Sequence, residues 1–326
     1  MAKFPSQRIM KYQTGAISND TWTVPTSGGV AGALNLPKDA SLLNRRGYAS
    51  TTKKGVPLVY RCRVDLLPQD EDGFGPGTAM GSDFQATLQI NGCQNNWVFR
   101  NAAVKWHAAR DNMWKKAGIK RNQLGAYAHA IRYGWDSDSQ AFLVPIDGDG
   151  NAFVGGTWDT TTMVDMVDNE YKLALTCDGV DEDSAHSVGV VNIAHAYLAS
   201  RSTVPTDSNA ESSEVPAQYS HLEQLLRPTN LESGSEEAYI RTDVMQDQDN
   251  PPYEVFVTET TDHDITEPVE LGRCIAGTGF AMGSAIVDIP FGIAGLRATV
   301  YNAADANITP SLSIGVEILD IFEMQG

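Results

Sequence analysis

The chain of 326 residues lacks any long hydrophobic run. No stretch approaches the roughly 20 apolar residues of a membrane-spanning helix. The opening MAKFPSQRIM carries cations with no apolar segment behind them, so a secretory signal is not expected. Hydrophobic residues still make up 42% and aromatic residues 8% of the chain, which suffices for packed cores. We therefore expect a soluble protein made in a cytoplasm, with room for two domains.

Cysteine is scarce, and its spacing excludes the common cysteine-based sites. No CxxC pair exists, and no cysteine lies near a histidine at a zinc-ligand spacing. Cys62 alternates with Arg61 and Arg63, which places it on the same strand face as its apolar neighbours. We expect small buried hydrophobic side chains rather than ligands at all four positions, which are Cys62, Cys93, Cys177 and Cys274.

Catalytic signatures are also missing. The chain has no GxSxG, HExxH or GxxxxGK[ST] motif. GTGFAMG misses the dinucleotide spacing and lies between two strand patterns, so tight hairpin glycines explain it better. The histidines are scattered, at His107, His129, His186, His195, His221 and His263. We therefore expect no enzyme, no catalytic residue, no bound metal and no cofactor.

Acidic residues are rare in the first part of the chain and cations are rare in the second. Residues 1–135 hold 18 Lys and Arg against 8 Asp and Glu, a net charge of +10. Residues 136–326 carry a net charge of −27. This asymmetry fits a basic portion that meets phosphate-bearing material and an acidic portion that faces water. The alternative is two solvated surfaces of opposite charge, or an oligomer in which the basic and the acidic surfaces meet.

Two acidic loops resemble fragments of calcium sites. Asp147, Asp149 and Asn151 open like an EF-hand loop. The sixth position is Ala152 and the twelfth is Trp158, where Gly and Glu are required, so an EF-hand is excluded. Solvated turns are the expected interpretation, for this loop and for DGVDED at 178–183. A calcium site between subunits is the alternative.

The rest of the chain is dominated by residues that alternate with period two between Gly, Pro and Asp turns, which predicts an all-β protein. We expect an extended basic arm over 1–50, a barrel over 51–200, a linker over 201–218 and a second barrel over 219–326. The predicted strands are VPLVYRCRVDL, FQATLQI, QAFLVPI, AFVGGTW, EYKLALTC, SVGVVNIAHAYL, EAYIRTDV, YEVFVTET, VELGRCIAG, SAIVDIPFG, LRATVYNA and SLSIGVEILDIF. AYAHAIRYGW fits a strand or a helix, and YSHLEQLLRP is a short amphipathic piece.

One segment has a clear helical pattern, from Trp97 to a stop at Gly118. Its apolar positions are Phe99, Ala103, Trp106 and Met113, and its cations are Arg100, Lys105, Arg110, Lys115 and Lys116. Tryptophan among cations is also found where proteins stack on single-stranded nucleic acid or sit in a lipid headgroup layer. We favour an amphipathic helix on a barrel, with buried tryptophans and solvated cations.

The closing strands from AIVDIPFG to SLSIGVEILDIF, with a helix between barrel strands, resemble viral jelly-roll capsid proteins. The pattern is most similar to the double jelly-roll major capsid proteins of small phages with an internal membrane. The resemblance implies tandem jelly-roll barrels in a homotrimer that tiles a capsid lattice with minor capsid proteins. The basic N-terminal part would face genome or an anionic inner membrane.

Other interpretations stay open. The segment 219–326 shows about six strands where a jelly roll has eight, so a single elaborated jelly roll is the alternative fold. Another virion component, such as a spike or tail protein, is an alternative function. A carbohydrate-binding or carbohydrate-hydrolysing β-sandwich is the third.

Overall fold

The computed structural model describes residues 5–14, 30–69, 84–120, 123–125, 129–135, 142–156, 158–164, 170–176, 180–181, 188–202, 268–277, 283–302 and 311–325. In chain order the described strands are β1 (Ile9–Gln13), β2 (Val30–Asn35), β3 (Leu58–Gln69), β4 (Phe84–Gly92), β5 (Thr162–Val164), β6 (Glu170–Ala174), β7 (Val180–Asp181), β8 (Val188–Asn192), β9 (Val269–Gly277), β10 (Gly283–Pro290), β11 (Ile293–Asn302) and β12 (Ser311–Glu323). The described helices are α1 (Leu36–Asn44), α2 (Trp97–Lys116) and α3 (Ile193–Ser202). The protein is mostly β with antiparallel sheets, so the predicted all-β class is confirmed.

Two four-stranded antiparallel sheets enclose the main core. The first has the order β1-β12-β3-β10 and the second the order β2-β11-β4-β9. Alternation buries one side of each strand. In β12 the buried residues are Leu312, Ile314, Val316 and Ile318, the face expected from the sequence. They pack with inward residues of the second sheet, such as Leu88 and Leu296. The two sheets therefore form a sandwich.

The strand pairing crosses the expected domain boundaries. The central strand β3, from the range expected to form the first barrel, pairs with β12 and β10 from the range expected to form the second. The expected arm contributes β1 to the first sheet and β2 to the second. The periodicity of a strand fixes which side chains are buried but not which distant strand becomes its neighbour.

The expected arm also contains helix α1. The side chain of Asn35 accepts a hydrogen bond from the backbone N–H of Lys38 at 3.1 Å, and Pro37 lies in the first turn. Both residues are typical of a helix start. The helix ends at Arg45, which has the left-handed φ of 47°. Leu36 and Ala40 pack into the core of the sandwich.

The long connection between β4 and β9 carries a second core. Helices α2 and α3 pack there against one end of the sandwich, through residues such as Trp106, Tyr197 and Phe291. Beside them lies a small mixed sheet with the order β5-β6-β8-β7. The predicted helix is confirmed: Asn96 caps its first turn, and Gly118 follows its end with φ of 72°.

Several predicted strands of this connection were wrong. SVGVVNIAHAYL was expected to be one strand, but β8 ends at Asn192 and α3 begins there. The Asn192 side chain accepts hydrogen bonds from the N–H groups of Ala194 and His195, which caps the helix. The described parts of QAFLVPI, AFVGGTW and AYAHAIRYGW form only isolated bridges. EAYIRTDV, YEVFVTET and YSHLEQLLRP lie outside the described residues, as does the expected linker from residue 203 onward.

Both sides of the sandwich are closed within the chain. On one side, residues 142–153 run along the edge strands. The N–H of Leu143 bonds to the carbonyl of Ala33 in β2, and the N–H of Ile146 bonds to that of Lys11 in β1, each at 2.8 Å. On the other side, β9 and β10 approach so closely that a Cβ on Gly283 would lie 2.4 Å from the carbonyl oxygen of Ile275. Edge strands closed in this way are poor templates for strand addition.

Candidate functional site

The acidic turn at Asp147 uses its carboxylate internally. Oδ1 accepts hydrogen bonds from the N–H groups of Asp149 at 2.9 Å and Asn151 at 2.8 Å. These bonds, with that from Asn151 the largest contribution, lower the pKa of Asp147. Among the described residues, no group of three His, Cys, Asp or Glu side chains could hold a metal ion. The Asp147 loop is therefore a hydrogen-bonded turn, and most of the DGVDED loop lies outside the described residues.

One histidine lies in an arrangement that resembles a nucleophile and its base. His107 of α2 is buried, and its Nε2 lies 2.9 Å from Oγ1 of Thr51. Its Nδ1 lies 3.2 Å from a guanidinium nitrogen of Arg110. A guanidinium only donates, so Nδ1 accepts and the ring proton is on Nε2, which donates to Thr51. A histidine in this tautomer does not take the proton of Thr51, so the hydroxyl is not activated.

The same contacts hold a loop on α2. A Cβ on Gly55 would lie 2.8 Å from Cβ of His107, and the φ of Gly55 is 87°. Glycine is therefore required by both the space and the backbone. Arg110 also donates to the carbonyl of His129 at 2.9 Å. The cluster is structural, and it fixes residues 51–57 against the helix.

The tryptophans of α2 are used for packing. Trp106 is buried, and its Nε1 donates to the carbonyl of Ile193 at 3.4 Å. Trp97 meets the edge of Tyr197, and Trp114 lies under the guanidinium of Arg110, 4.3 Å from the ring centre. Trp106 is buried, and the partly buried Trp97 and Trp114 pack against neighbouring side chains, which favours the amphipathic-helix interpretation over base stacking. The solvated-cation prediction was wrong for Arg110, which is buried beside the apolar face.

Exposed cations do collect in the connection between α1 and β3. Arg45 and Arg46 follow the end of α1, and Lys53 and Lys54 lie in the loop that His107 holds. All four are exposed, and none forms an ion pair with another described residue. We call these four residues the basic connection. Exposed cations of this kind attract phosphate groups.

A buried acid connects β1 to α1. Asp39 is fully buried, and its Oδ2 accepts a hydrogen bond of 2.7 Å from the hydroxyl of Tyr12. Its other oxygen has no hydrogen-bond partner in the described part of the chain. Burial raises the pKa of Asp39 to about 7, against a smaller opposing effect of the Tyr12 hydrogen bond. Nothing in the local pattern indicated a buried acid, because Asp39 lies in the stretch that was expected to be an extended arm.

The cysteines that the structure describes have unreactive thiols. Cys62, Cys93 and Cys274 are buried and free. Burial raises the pKa of all three thiols, that of Cys274 to about 11. A neutral buried thiol is neither a nucleophile nor a metal ligand. These three positions therefore fit the small hydrophobic role expected from the sequence, and Cys177 lies outside the described residues.

The outer face of the first sheet combines ion pairs with exposed isoleucines. Arg61 binds Asp288 through two hydrogen bonds of 2.7 and 2.8 Å, and Arg63 binds Glu317 at 3.1 Å. Exposed isoleucines, Ile9 in β1 and Ile286 in β10, occupy the two edges of this face. Alternation in the sequence placed Arg61 and Arg63 opposite the apolar face of their strand, whereas only the strand order shows that the two isoleucines lie at opposite edges.

No protein-family model, curated protein or solved structure matches the chain. In the part of the chain that the structure describes, no helix is both long enough and apolar enough to cross a bilayer.

Proposed function

We propose that this chain is a structural capsid protein that assembles with copies of itself into the shell of a virus particle. The order of the sandwich strands carries the proposal. The eight strands of the sandwich are, in chain order, β1, β2, β3, β4, β9, β10, β11 and β12. When they are numbered one to eight in this order, one sheet has the order 1-8-3-6 and the other has the order 2-7-4-5. This is the strand order of a jelly roll, an architecture common in viral capsids.

The proposed fold is a single elaborated jelly roll rather than two in tandem. Strands from both ends of the chain complete one sandwich, with β1 and β12 paired in its first sheet. The connection between its fourth and fifth strands holds α2, α3 and the small sheet as an elaboration. A shell protein works through surfaces rather than a catalytic group, so we propose no enzymatic activity.

Charge supports an orientation in the shell. The basic connection lies on one part of the surface, and the net charge of the chain is −17. In the proposed particle the basic connection faces genome or an anionic inner membrane. Replacing Arg45, Arg46, Lys53 and Lys54 by glutamine should weaken binding to polyanions and reduce its dependence on salt concentration. Binding to single-stranded nucleic acid and to anionic vesicles, measured side by side, would show which of the two is the ligand.

Electron microscopy of the purified protein tests the proposed function. We expect closed shells or sheets with a regular lattice, and light scattering should show trimers or larger ring-shaped units as building blocks. Minor capsid proteins would be partners of such a lattice. A chain that stays a monodisperse monomer at every concentration would contradict the proposal. Jelly rolls also occur in lectins, so glycan-array binding by such a monomer would favour the carbohydrate-binding alternative.

A further inference from the structure

Strand β1 is attached to the sandwich through few inward contacts. Of its five residues, only Met10 and Tyr12 are buried. On its outer edge, the N–H of Ile146 donates to the carbonyl of Lys11 and joins the strand to residues 142–153. A short edge strand that buries little surface can open at a lower free energy than the unfolding of the whole domain requires. We therefore ask what keeps β1 in place.

Helix α1 binds β1 at two points. Just before the strand, the side-chain oxygen of Asn44 accepts hydrogen bonds from the N–H of Gln7 at 2.8 Å and from the hydroxyl of Ser6 at 2.7 Å. The Asn44 amide also donates to the carbonyl of Gln7 at 3.1 Å. Near the end of the strand, Oδ2 of Asp39 accepts a hydrogen bond of 2.7 Å from the hydroxyl of Tyr12. We call the Asn44 contacts the outer tie and the Asp39 contact the inner tie.

The inner tie involves both inward side chains of β1. The hydroxyl of Tyr12 lies 2.7 Å from Asp39 and 3.4 Å from the sulfur of Met10. A protonated Asp39 can donate to the oxygen of Tyr12, and the hydroxyl of Tyr12 can then donate to the sulfur. An ionised Asp39 can only accept, so Tyr12 must donate to the carboxylate. The protonation state of Asp39 therefore determines how the two inward side chains of β1 are bonded.

A negative charge on Asp39 has little compensation in the described part of the chain. Its Oδ1 is buried without a hydrogen-bond partner there. Tyr12 of β1 and Lys38 of its own helix act on the carboxyl, and Cys62 of β3 acts on the hydroxyl of Tyr12. The ammonium of Lys38 lies 5.7 Å from the ring centre of Phe142, and it forms no ion pair with Asp39. A buried carboxylate without a paired cation is strongly unfavourable.

Opening of β1 removes this penalty. Once the strand leaves, Met10 and Tyr12 no longer cover Asp39, and water can hydrate the carboxylate. Burial raises the pKa of Asp39 to about 7, whereas the ordinary value is 3.8. The advantage of the closed strand is therefore at its maximum below about pH 4 and decreases as the pH rises towards 7.

We propose that Asp39 is a proton-dependent latch, which keeps β1 closed on β12 while the carboxyl is neutral and lets the strand open more readily once the carboxyl is ionised. Opening uncovers the edge of β12, so the pH determines how often the first sheet ends in β12 instead of β1. The rest of the sandwich stays folded, because β12 remains paired with β3 from Ser311 to Glu323. This inference does not depend on the proposed function.

Hydrogen exchange followed by mass spectrometry tests the latch at a protein concentration at which the chain is monomeric. Peptides covering residues 5–14 and 58–66 report on β1 and β3 in the same sample. Dividing each rate by that of the unfolded chain removes the chemical dependence of exchange on pH. In the wild type, the relative exchange of residues 5–14 should rise by about 50- to 100-fold from pH 5 to pH 8. Strand β3 should be more protected than β1 at every pH.

Three variants separate the inner tie from other causes of opening. Asp39→Asn is neutral at every pH and should abolish the rise. Asn44→Ala removes the outer tie and should increase the exchange of residues 5–14 by about fivefold or more, by the same factor at every pH. Asp288→Asn changes an exposed aspartate of the same sheet, so it is the matched control and should retain the full rise.

Two results would overturn the latch. Equal relative exchange in residues 5–14 and 58–66 at every pH would mean that β1 opens only with the whole protein. A wild type without the rise, or a rise that persists in Asp39→Asn, would mean that Asp39 does not control the strand. The wild-type comparison needs no substitution, so the test does not depend on the folding of a variant.

Discussion

Replacing Asp39 by asparagine should remove a loss of stability that the wild-type protein undergoes between pH 5 and pH 8. The ordinary pKa of the carboxyl is 3.8, and burial in the fold raises it to about 7. Between these values the native state holds a proton that the unfolded chain has lost. The contribution of this group to the free energy of unfolding is therefore at its maximum below about pH 4. It decreases as the pH rises towards 7 and is constant at higher pH. Asparagine stays neutral throughout, and its side-chain oxygen can still accept the Tyr12 hydrogen bond.

The size of the effect follows from the pKa difference. Each pH unit between 3.8 and 7 costs about 1.4 kcal/mol of stability. From pH 5 to pH 8 the wild type should therefore lose about 3 kcal/mol that Asp39→Asn retains. Below about pH 3.8 the carboxyl is protonated in both the folded and the unfolded states and resembles the amide, so the two proteins should be similarly stable there.

Urea unfolding followed by tryptophan fluorescence measures this difference, because Trp106 and Trp135 are buried in the native state. The measurements belong at a protein concentration at which the chain is monomeric, so that self-association does not add to the apparent stability. Tyr12→Phe is the second variant. It removes a hydrogen bond that lowers the folded-state pKa of Asp39, so the loss of stability should continue to a higher pH than in the wild type. Parallel pH curves for the Asp39→Asn variant and its parent would refute the reasoning.

Three further changes test other parts of the fold by the same unfolding assay. Asn192→Ala removes the cap of α3 and the side-chain bond to the carbonyl of Leu175, and should destabilise the protein by about 2 kcal/mol; stability equal to wild type would contradict the capping role. Gly295→Ala places a Cβ 2.5 Å from the indole of Trp135 and should destabilise by about 1–3 kcal/mol, with a shift in tryptophan fluorescence. Asp288→Asn breaks an exposed ion pair and should leave the unfolding midpoint nearly unchanged, whereas a large loss would show that this pair is not the solvated contact described.

Local sequence features predicted the local structure well. The inward faces of β3 and β12 follow from alternation, and the C-terminal end of α2 follows from a stop glycine. The α3 helix was missed because its apolar residues continue directly from the β-branched Val190 and Val191 of β8. There the cap at Asn192 was the informative signal. Similarly, Asn35 and Pro37 mark the start of α1 within a stretch whose glycines and prolines indicated an arm.

Local sequence patterns could not predict which distant strands pair with each other, and the candidate sites depend on that pairing. Asp39 becomes a buried acid only because β1 and α1 close over it, and a lone aspartate in a polar stretch predicts a solvated one. Ile9 and Ile286 lie hundreds of residues apart in the chain. They lie at opposite edges of one sheet face only because β12 and β3 lie between β1 and β10.

Closure of the sandwich edges determines what kind of self-association remains available. The backbone edges of β1 and β2 are bonded to residues 142–153, and β9 abuts β10, so a neighbouring copy has little free strand to extend. Contact between copies must then come mainly from side chains. Weak contacts suit a shell, because a lattice repeats each of them many times and a wrongly placed copy can still leave.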